Sequence, residues 1–327
     1  MESFEGKTIL VTGATGLIGS NLVDKLMTMK PAKVIVTGRN EKKLVSTFTD
    51  YVDKDNFMIV QHDAANPIPV GVQGVDYIFH AAGPMEREIV LNKPVNVLLP
   101  NVLGLINLME LLRNQEATTG KKGRIVVFSS VTVYNNPGID DYDAVESDTT
   151  HAVSLDAPTA CYAESKRMSE VIARSYIKQY NVDAVIARFS TVYGPTRNVP
   201  DTAFYEFVRK SIVGEDIMVN SPAAPRRDNI YVDDAIEGLI CVALSGKTGE
   251  AYNISSGGEL GNYAAVDEIA KVAARVAGKG THVIYKNEEG AKKGGMTLNN
   301  EKLKSLGWSL RFSMEAGIAE TIKNIKL

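Results

Sequence analysis

Six short apolar runs punctuate the first 190 residues of the chain: Thr8-Ile9-Leu10-Val11, Lys33-Val34-Ile35-Val36, Phe57-Met58-Ile59-Val60, Tyr77-Ile78-Phe79, Arg124-Ile125-Val126-Val127-Phe128 and Asp183-Ala184-Val185-Ile186-Ala187. None alternates apolar with polar residues, as a half-exposed strand would; a strand of a parallel sheet covered on both faces has this texture. Between the runs lie longer helix-compatible segments, among them Ser20–Met29, Asn101–Arg113 and Ala163–Tyr180. Strand and helix taking turns predicts βαβ units, and hence an α/β chain built on a Rossmann-type, doubly wound parallel sheet.

After residue 190 the texture changes. Loops rich in Pro, Asn and Gly, such as Gly194–Pro200 and Ser255–Asn262, separate shorter helices. One helix is expected to start at Asp233-Asp234, with either acid as its cap, another spans Val266–Ala277, and the last begins at Ser313 with Glu315 in its first turn. The Lys/Gly-rich stretch Gly290–Gly295 reads as a solvated loop. The expected organisation is a doubly wound domain over residues 1–187, with a return of the chain to it around 229–250. A smaller α+β lobe would occupy residues 188–327.

Composition narrows the partners. Lys and Arg number 36 against 39 Asp and Glu, a net charge of -3, so there is no broad basic field and nucleic acid is not expected as a partner. Two cysteines, Cys161 and Cys241, exclude a disulfide framework and suit a reducing compartment. His62, His80, His151 and His282 stand far apart, none in a zinc-like spacing with cysteine, so no metal is expected. The first seven residues hold two acids and no apolar core of a secretory signal. The apolar stretches, short and interrupted, fall below the ~20 residues of a membrane span, which predicts a cytoplasmic protein with no membrane partner.

The chemistry starts at the first strand, which runs into Gly13-Ala14-Thr15-Gly16-Leu17-Ile18-Gly19 and then a helix. Glycine is required where the turn is tight, where backbone must approach a pyrophosphate and where helix meets strand; the helix N-terminus then offers N–H groups to phosphate. The second strand ends in Thr37-Gly38-Arg39-Asn40 instead of the acid that would hold an NAD ribose. Arg39 has the fork to grip a 2′-phosphate, which leans the cofactor from NAD(H) toward NADP(H). Tyr162 and Lys166, four apart on one helix face, make an acid–base pair in which the ammonium is expected to lower the phenol's pKa. Ser129-Ser130 ends a strand of the same sheet and brings a hydroxyl to its carboxyl edge.

In these motifs the chain resembles the extended short-chain dehydrogenase/reductase superfamily, the NAD-dependent epimerase/dehydratase group. The likeness runs from Lys7 to near Ile322 through the glycine turn, Asp63, His80-Ala81-Ala82-Gly83, Asn101, Ser129-Ser130, Tyr162/Lys166 and Arg188 to Pro195. It continues through Arg227–Asp234, Tyr252-Asn253-Ile254 and Leu306-Gly307-Trp308. The resemblance implies a dinucleotide-binding Rossmann domain over residues 1–187, a mainly substrate-binding lobe over 188–327, and Tyr162, Lys166 and Ser130 as the catalytic set. It gives cofactor contacts to Gly13, Thr15, Gly16, Leu17, Ile18, Gly19, Arg39, Asn40, Asp63, Ala64, Ala81, Ala82, Gly83, Asn101, Phe128, Ser129, Phe189 and Val192, besides Tyr162 and Lys166. Substrate contacts would fall to Ser130, Thr132, Thr191, Arg227 and Asn253, with Arg227 on the diphosphate. The helices Asn101–Arg113 and Ala163–Tyr180 correspond to those that pair across dimers in the family, so a homodimer is expected.

Departures narrow the reaction. Nucleotide-sugar 4,6-dehydratases of the group place Asp-Glu where this chain has Val131-Thr132, and the related decarboxylases keep a glutamate at the second position. Neither replacement ionises near neutral pH. Many relatives also have asparagine where this chain has Thr191. The resemblance then implies an epimerase acting on a nucleotide-diphosphate sugar by reversible NAD(P)-dependent hydride transfer at C4, without elimination. The alternatives are an NADPH-dependent 4-keto-sugar reductase and, in another class, a non-catalytic dinucleotide sensor, which would have no need of a tuned phenol. His80 reads as a satisfied core histidine and Cys161 as packing.

Overall fold

The computed structural model describes residues 3–136, 141–148, 150–222, 225–287, 289–290 and 294–325. Each apolar run is a strand: β1 (Thr8–Thr12), β2 (Lys33–Gly38), β3 (Phe57–Gln61), β4 (Tyr77–His80), β5 (Arg124–Ser130) and then Asp183–Phe189. A further strand, Ala251–Ile254, returns from the second half and pairs in parallel with Asp183–Phe189. The seven lie in the order β3-β2-β1-β4-β5, Asp183–Phe189, Ala251–Ile254, every pairing parallel. The order reverses between β1 and β4, and in such sheets ligands sit outside the carboxyl ends at that reversal.

The unbroken apolar texture follows from burial on both faces. Ile9 and Val11 of β1 enter one core cluster with Leu22, Leu26 and Phe79, while Leu10 between them enters the other with Ile35, Ile78 and Leu108. Each such side chain contributes about 1.5–3 kcal/mol on full burial.

Helix Val95–Thr119 is continuous over 25 residues, and its most apolar 18-residue window has a mean hydropathy of 1.6, long and apolar enough by that measure to cross a membrane. This corrects the reading that every apolar stretch falls short of a span: the helix carries on through Asn96, Asn101 and Asn107, which interrupt the run in sequence. It widens to a π turn at Pro100–Gly104, as suits a proline that has no N–H for the helix ladder and crowds the preceding turn. Leu105, Leu108, Met109 and Leu112 are buried in the core. Val95, Leu99 and Leu103 remain exposed, as do Met168 and Val171 on the helix Ala160–Tyr180, which packs beside it.

A smaller sheet joins Tyr142–Ala144 of the first half to Gly295–Leu298, Arg226–Tyr231 and Tyr263–Ala264 of the second, with Thr191–Tyr193 alongside Arg226–Tyr231. Helix Val266–Ala277 has the predicted bounds, and Ser313 caps helix Met314–Asn324 by accepting from Ala316 N at 3.1 Å. Helix Val232–Ser245 differs from expectation: Tyr231 is its cap residue and neither aspartate caps it. Asp234 instead is fully buried and accepts from the backbone N–H groups of Arg311 and Phe312 and from Arg311 Nε, tying the C-terminal segment down. Residues 291–293 of the Lys/Gly-rich stretch lie outside the described residues.

Candidate active site

The glycine turn stands at the reversal of the sheet. Gly13 has φ +64°, and a Cβ there would come within 2.6 Å of the Ala81 and Ala82 backbone, so neither the conformation nor the space admits another residue. A Cβ on Gly19 would lie 2.5 Å from Gly13 O, so helix α1 (Leu17–Thr28) packs directly on the turn. Gly16 is the cap residue of α1 without any side-chain cap, and no acid occupies the first turn. The leading N–H groups and the positive end of the helix are thereby left for an anion. This cradle fits the pyrophosphate of a dinucleotide.

Around it, Ala82 N donates to Thr12 Oγ1 at 3.3 Å and Thr12 Oγ1 bonds His80 Nδ1 at 2.8 Å. His80 Nε2 donates to Pro100 O at 3.1 Å, so the Nδ1 side accepts from the threonine. Burial lowers its pKa to about 3 and keeps the ring neutral, the satisfied core histidine that was expected. Asp63 is exposed and accepts from Ala65 N at 3.0 Å; Ala64 is half-buried. Arg39 is exposed at the end of β2, and the Asn40 side chain is spent on capping helix α2 (Glu41–Thr47), accepting from Lys43 N.

Tyr162, Lys166 and Ser130 meet across the end of β5. All three are buried, on the helix Ala160–Tyr180 and the last residue of the strand. Lys166 Nζ donates to Phe128 O at 2.8 Å and sits 5.8 Å from the Tyr162 ring centre. The Ser130 hydroxyl lies within reach of the Tyr162 phenol. Burial pushes the phenol's pKa above its ordinary value and only Ser130 pulls the other way, contrary to the expectation that the ammonium would lower it. Burial acts on the lysine as well, bringing it down to about 8. Asn101, in the π turn, anchors this helix from behind: its Nδ2 donates to Ser165 Oγ and to Val97 O, and its carbonyl accepts from Ser169 Oγ.

A cleft of about 270 Å³ opens beside Tyr162, walled by Val131, Thr132, Asn135, Val153, Thr159 and Met296. Thr132 Oγ1 is buried there with no hydrogen-bond partner among the described residues. Phe128 and Phe189 pack at a tilt of 51° with ring centres 5.0 Å apart, and Val192 is half-buried. Thr191 and Arg227 are both exposed. Asn253 stands differently from its sequence reading: fully buried, it spends its amide on Tyr134 Oη, Ala144 O and Asn299 O and has nothing left for substrate. The Ser129 hydroxyl is turned to Glu170. Among the described residues no cluster of three His, Cys, Asp or Glu could hold a metal.

Sequence reasoning missed a brace on the cofactor cradle. Arg197 reaches back to Asp24 on α1 at 2.9 Å and to Asp50 at 3.1 Å, and also donates to Thr47 O. Asn198 Nδ2 donates to Thr15 O of the glycine turn and to Thr47 Oγ1, while Asn21 Nδ2 donates to Pro195 O. The partners lie more than 140 residues away in sequence. The only local signal was a cation and an amide following Gly194-Pro195.

Comparison with known proteins agrees with this geometry. UDP-glucuronic acid decarboxylase 6 of Arabidopsis thaliana is 31% identical over 77% of this chain and 70% of its own length. A UDP-glucose 4-epimerase from Thermotoga maritima, solved with UDP-glucose, superposes with a TM-score of 0.81 at 22% identity, over 97% of this chain and 98% of that one. A dTDP-glucose 4,6-dehydratase from Streptomyces venezuelae, solved with NAD bound, gives 0.78 at 25% identity over 97% and 96%. The family model described as "NAD dependent epimerase/dehydratase family" matches residues 9–255. With that match spanning the glycine turn, Ser130, Tyr162 and Lys166, the chain belongs to the NAD-dependent epimerase/dehydratase family, enzymes of the extended short-chain dehydrogenase/reductase type.

Proposed function

We propose that this enzyme epimerises a nucleotide-diphosphate sugar by reversible hydride transfer at the sugar C4, with no loss of water or carbon dioxide. One observation carries the reading: the Ser130–Tyr162–Lys166 set is complete, yet the adjoining wall of the cleft is Val131 and Thr132, neither of which can act as a carboxylate. Relatives named for decarboxylation and dehydration share the fold, and the chemistry beyond hydride transfer is what this wall lacks.

When bound, the nicotinamide supplies the hydride acceptor and donor. The chain's own residues do the rest. The Tyr162 phenol exchanges the proton of the C4 hydroxyl, with Ser130 holding that oxygen in line. Lys166 would hold the cofactor ribose, and the unpartnered Thr132 hydroxyl would be available to a sugar hydroxyl. Arg227, exposed on the strand Arg226–Tyr231, would take the diphosphate. An epimerase keeps its cofactor through the cycle, and the Arg197–Asn198 brace suits that retention.

A second reading, the NADPH-dependent keto-sugar reductase, is favoured by Arg39 at the end of β2, where an acid would have selected NAD. Mass spectrometry of the purified protein, followed by incubation with UDP- and dTDP-hexoses, separates the two. Copurifying NAD and a C4 epimer formed without added cofactor support the epimerase. An empty site with NADPH-dependent reduction of a 4-keto sugar supports the reductase. Release of water or carbon dioxide overturns both.

We further infer a cytoplasmic homodimer with no membrane or nucleic-acid partner. The exposed Val95, Leu99, Leu103, Met168 and Val171 form an apolar face on two neighbouring helices, which a second copy would cover. Cys161 and Cys241 are both unpaired, as a reducing compartment allows.

A further inference from the structure

Three successive residues at the carboxyl end of β5 are each held by the helix Ala160–Tyr180. Phe128 O accepts from Lys166 Nζ at 2.8 Å, Ser129 Oγ donates to Glu170 Oε1 at 2.6 Å, and the Ser130 hydroxyl lies within reach of the phenol of Tyr162. Residues 162, 166 and 170 follow one another at four-residue spacing and form one stripe of the helix. Two of these rungs belong to the acid–base centre. The third, Glu170, touches neither the cleft nor the glycine turn in any contact described above.

Glu170 is buried at 5% exposure and is gripped from the far side by Arg188, buried at 3%, on the strand Asp183–Phe189. The grip is a fork: Arg188 Nε donates to Glu170 Oε1 at 2.9 Å and Nη2 to Oε2 at 2.7 Å. Arg188 Nη1 donates to Tyr134 Oη at 2.8 Å, and Tyr134 donates to Asn253 Oδ1 at 2.7 Å. The pair therefore joins the Tyr162 helix, two strands of the sheet and the turn that carries Thr132. A buried ion pair is a weak source of net stability, because desolvation offsets the attraction. What a bidentate fork does supply is a fixed direction and spacing.

We propose that Glu170 and Arg188 are positioning residues for the hydride-transfer centre: their fork sets how far the helix sits along β5, and so holds Tyr162 against Ser130 and the Thr132 wall. The proposal rests on Tyr162 being the acid–base. It differs from a purely structural role in what it predicts, since a shift of the helix along the strand misplaces the phenol while leaving the glycine turn, on the other side of the reversal, untouched.

The test uses the full-length chain and three variants. Ser129→Ala removes the rung from β5 and leaves the ion pair whole, Glu170→Gln removes the charge, and Tyr162→Phe removes the phenol. Turnover is measured with UDP-glucose and dTDP-glucose, and NADH binding by fluorescence. Ser129→Ala and Glu170→Gln are expected to lower kcat by about 10–100-fold, the scale of an ångström-level misplacement. KM should stay within about twofold, and because Lys166 rides on the same helix any loss of NADH affinity should be smaller than the loss of kcat. If both variants turn over like the unaltered chain while Tyr162→Phe is inactive, the positioning role is overturned and the acid–base assignment stands. If Tyr162→Phe is active, the assignment itself falls. Should Glu170→Gln fail to fold, Ser129→Ala decides alone. Its crystal structure settles the matter even where neither sugar reacts: a Tyr162 hydroxyl displaced from Ser130 supports the proposal, and an unmoved one overturns it.

Discussion

The ammonium of Lys166 is held by the carbonyl oxygen of Phe128 at 2.8 Å, so the lysine is fixed by the strand end that also carries Ser130. Burial costs its charged form and brings its pKa from 10.5 to about 8. The unfolded chain therefore binds more protons than the folded one between those values, and this lysine makes folding less favourable at neutral pH and less so as pH rises. The full shift corresponds to about 3 kcal/mol. Urea unfolding of Lys166→Met beside the unaltered chain should show the variant gaining most at pH 7, with the difference shrinking between pH 8 and 10.5. A difference independent of pH would contradict this.

Arg39 lies exposed at the end of β2, where it can meet a ribose phosphate. Arg39→Asp should lower the affinity for NADPH relative to NADH by about 10–100-fold, the worth of one charge-assisted contact. Fluorescence titration with both dinucleotides at two salt concentrations checks it, and an unchanged ratio would remove Arg39 from cofactor selection.

Arg197 joins Asp24 of α1 to Asp50 beyond α2, and its side chain is about one-third exposed. Pairs this open contribute less than about 1 kcal/mol each to stability. Arg197→Met should leave the melting temperature nearly unmoved and raise the rate at which NADH dissociates. Stopped-flow displacement measures that rate. A large loss of stability with unchanged dissociation would make the arginine a structural staple only.

Leu103 is 43% exposed on helix Val95–Thr119. Leu103→Asp should convert the dimer to a monomer in sedimentation at micromolar concentration while the fold stays intact by circular dichroism. Monomeric behaviour of the unaltered chain would dispose of the dimer.

The strands were legible because burial on both faces leaves an unbroken apolar run, and Tyr162 and Lys166 because four-residue spacing fixes a shared helix face. What escaped was tertiary. Asp233 and Asp234 look like a cap, yet Asp234 is drawn instead to backbone N–H groups 77 and 78 residues away. Asn253 looks like a substrate contact, but the edge strand that carries it is fully buried. The phenol's pKa escapes for a related reason: spacing places the lysine beside the ring, and only the folded interior reveals that burial raises the phenol with Ser130 alone opposing it.

The edge strand Ala251–Ile254 has a consequence for the making of the protein. The main sheet is finished by residues that leave the ribosome long after Asp183–Phe189, and Arg124, near the start of β5, already donates to Ala243 O and Gly246 O from that late segment. Until residue 254 emerges, the nascent chain presents a bare, apolar, parallel edge, the kind of template on which strands of other chains add. Truncation near residue 190 would make that exposure permanent, so fragments of the amino-terminal half should collect in inclusion bodies, and a split version of the enzyme would have to be cut beyond residue 254.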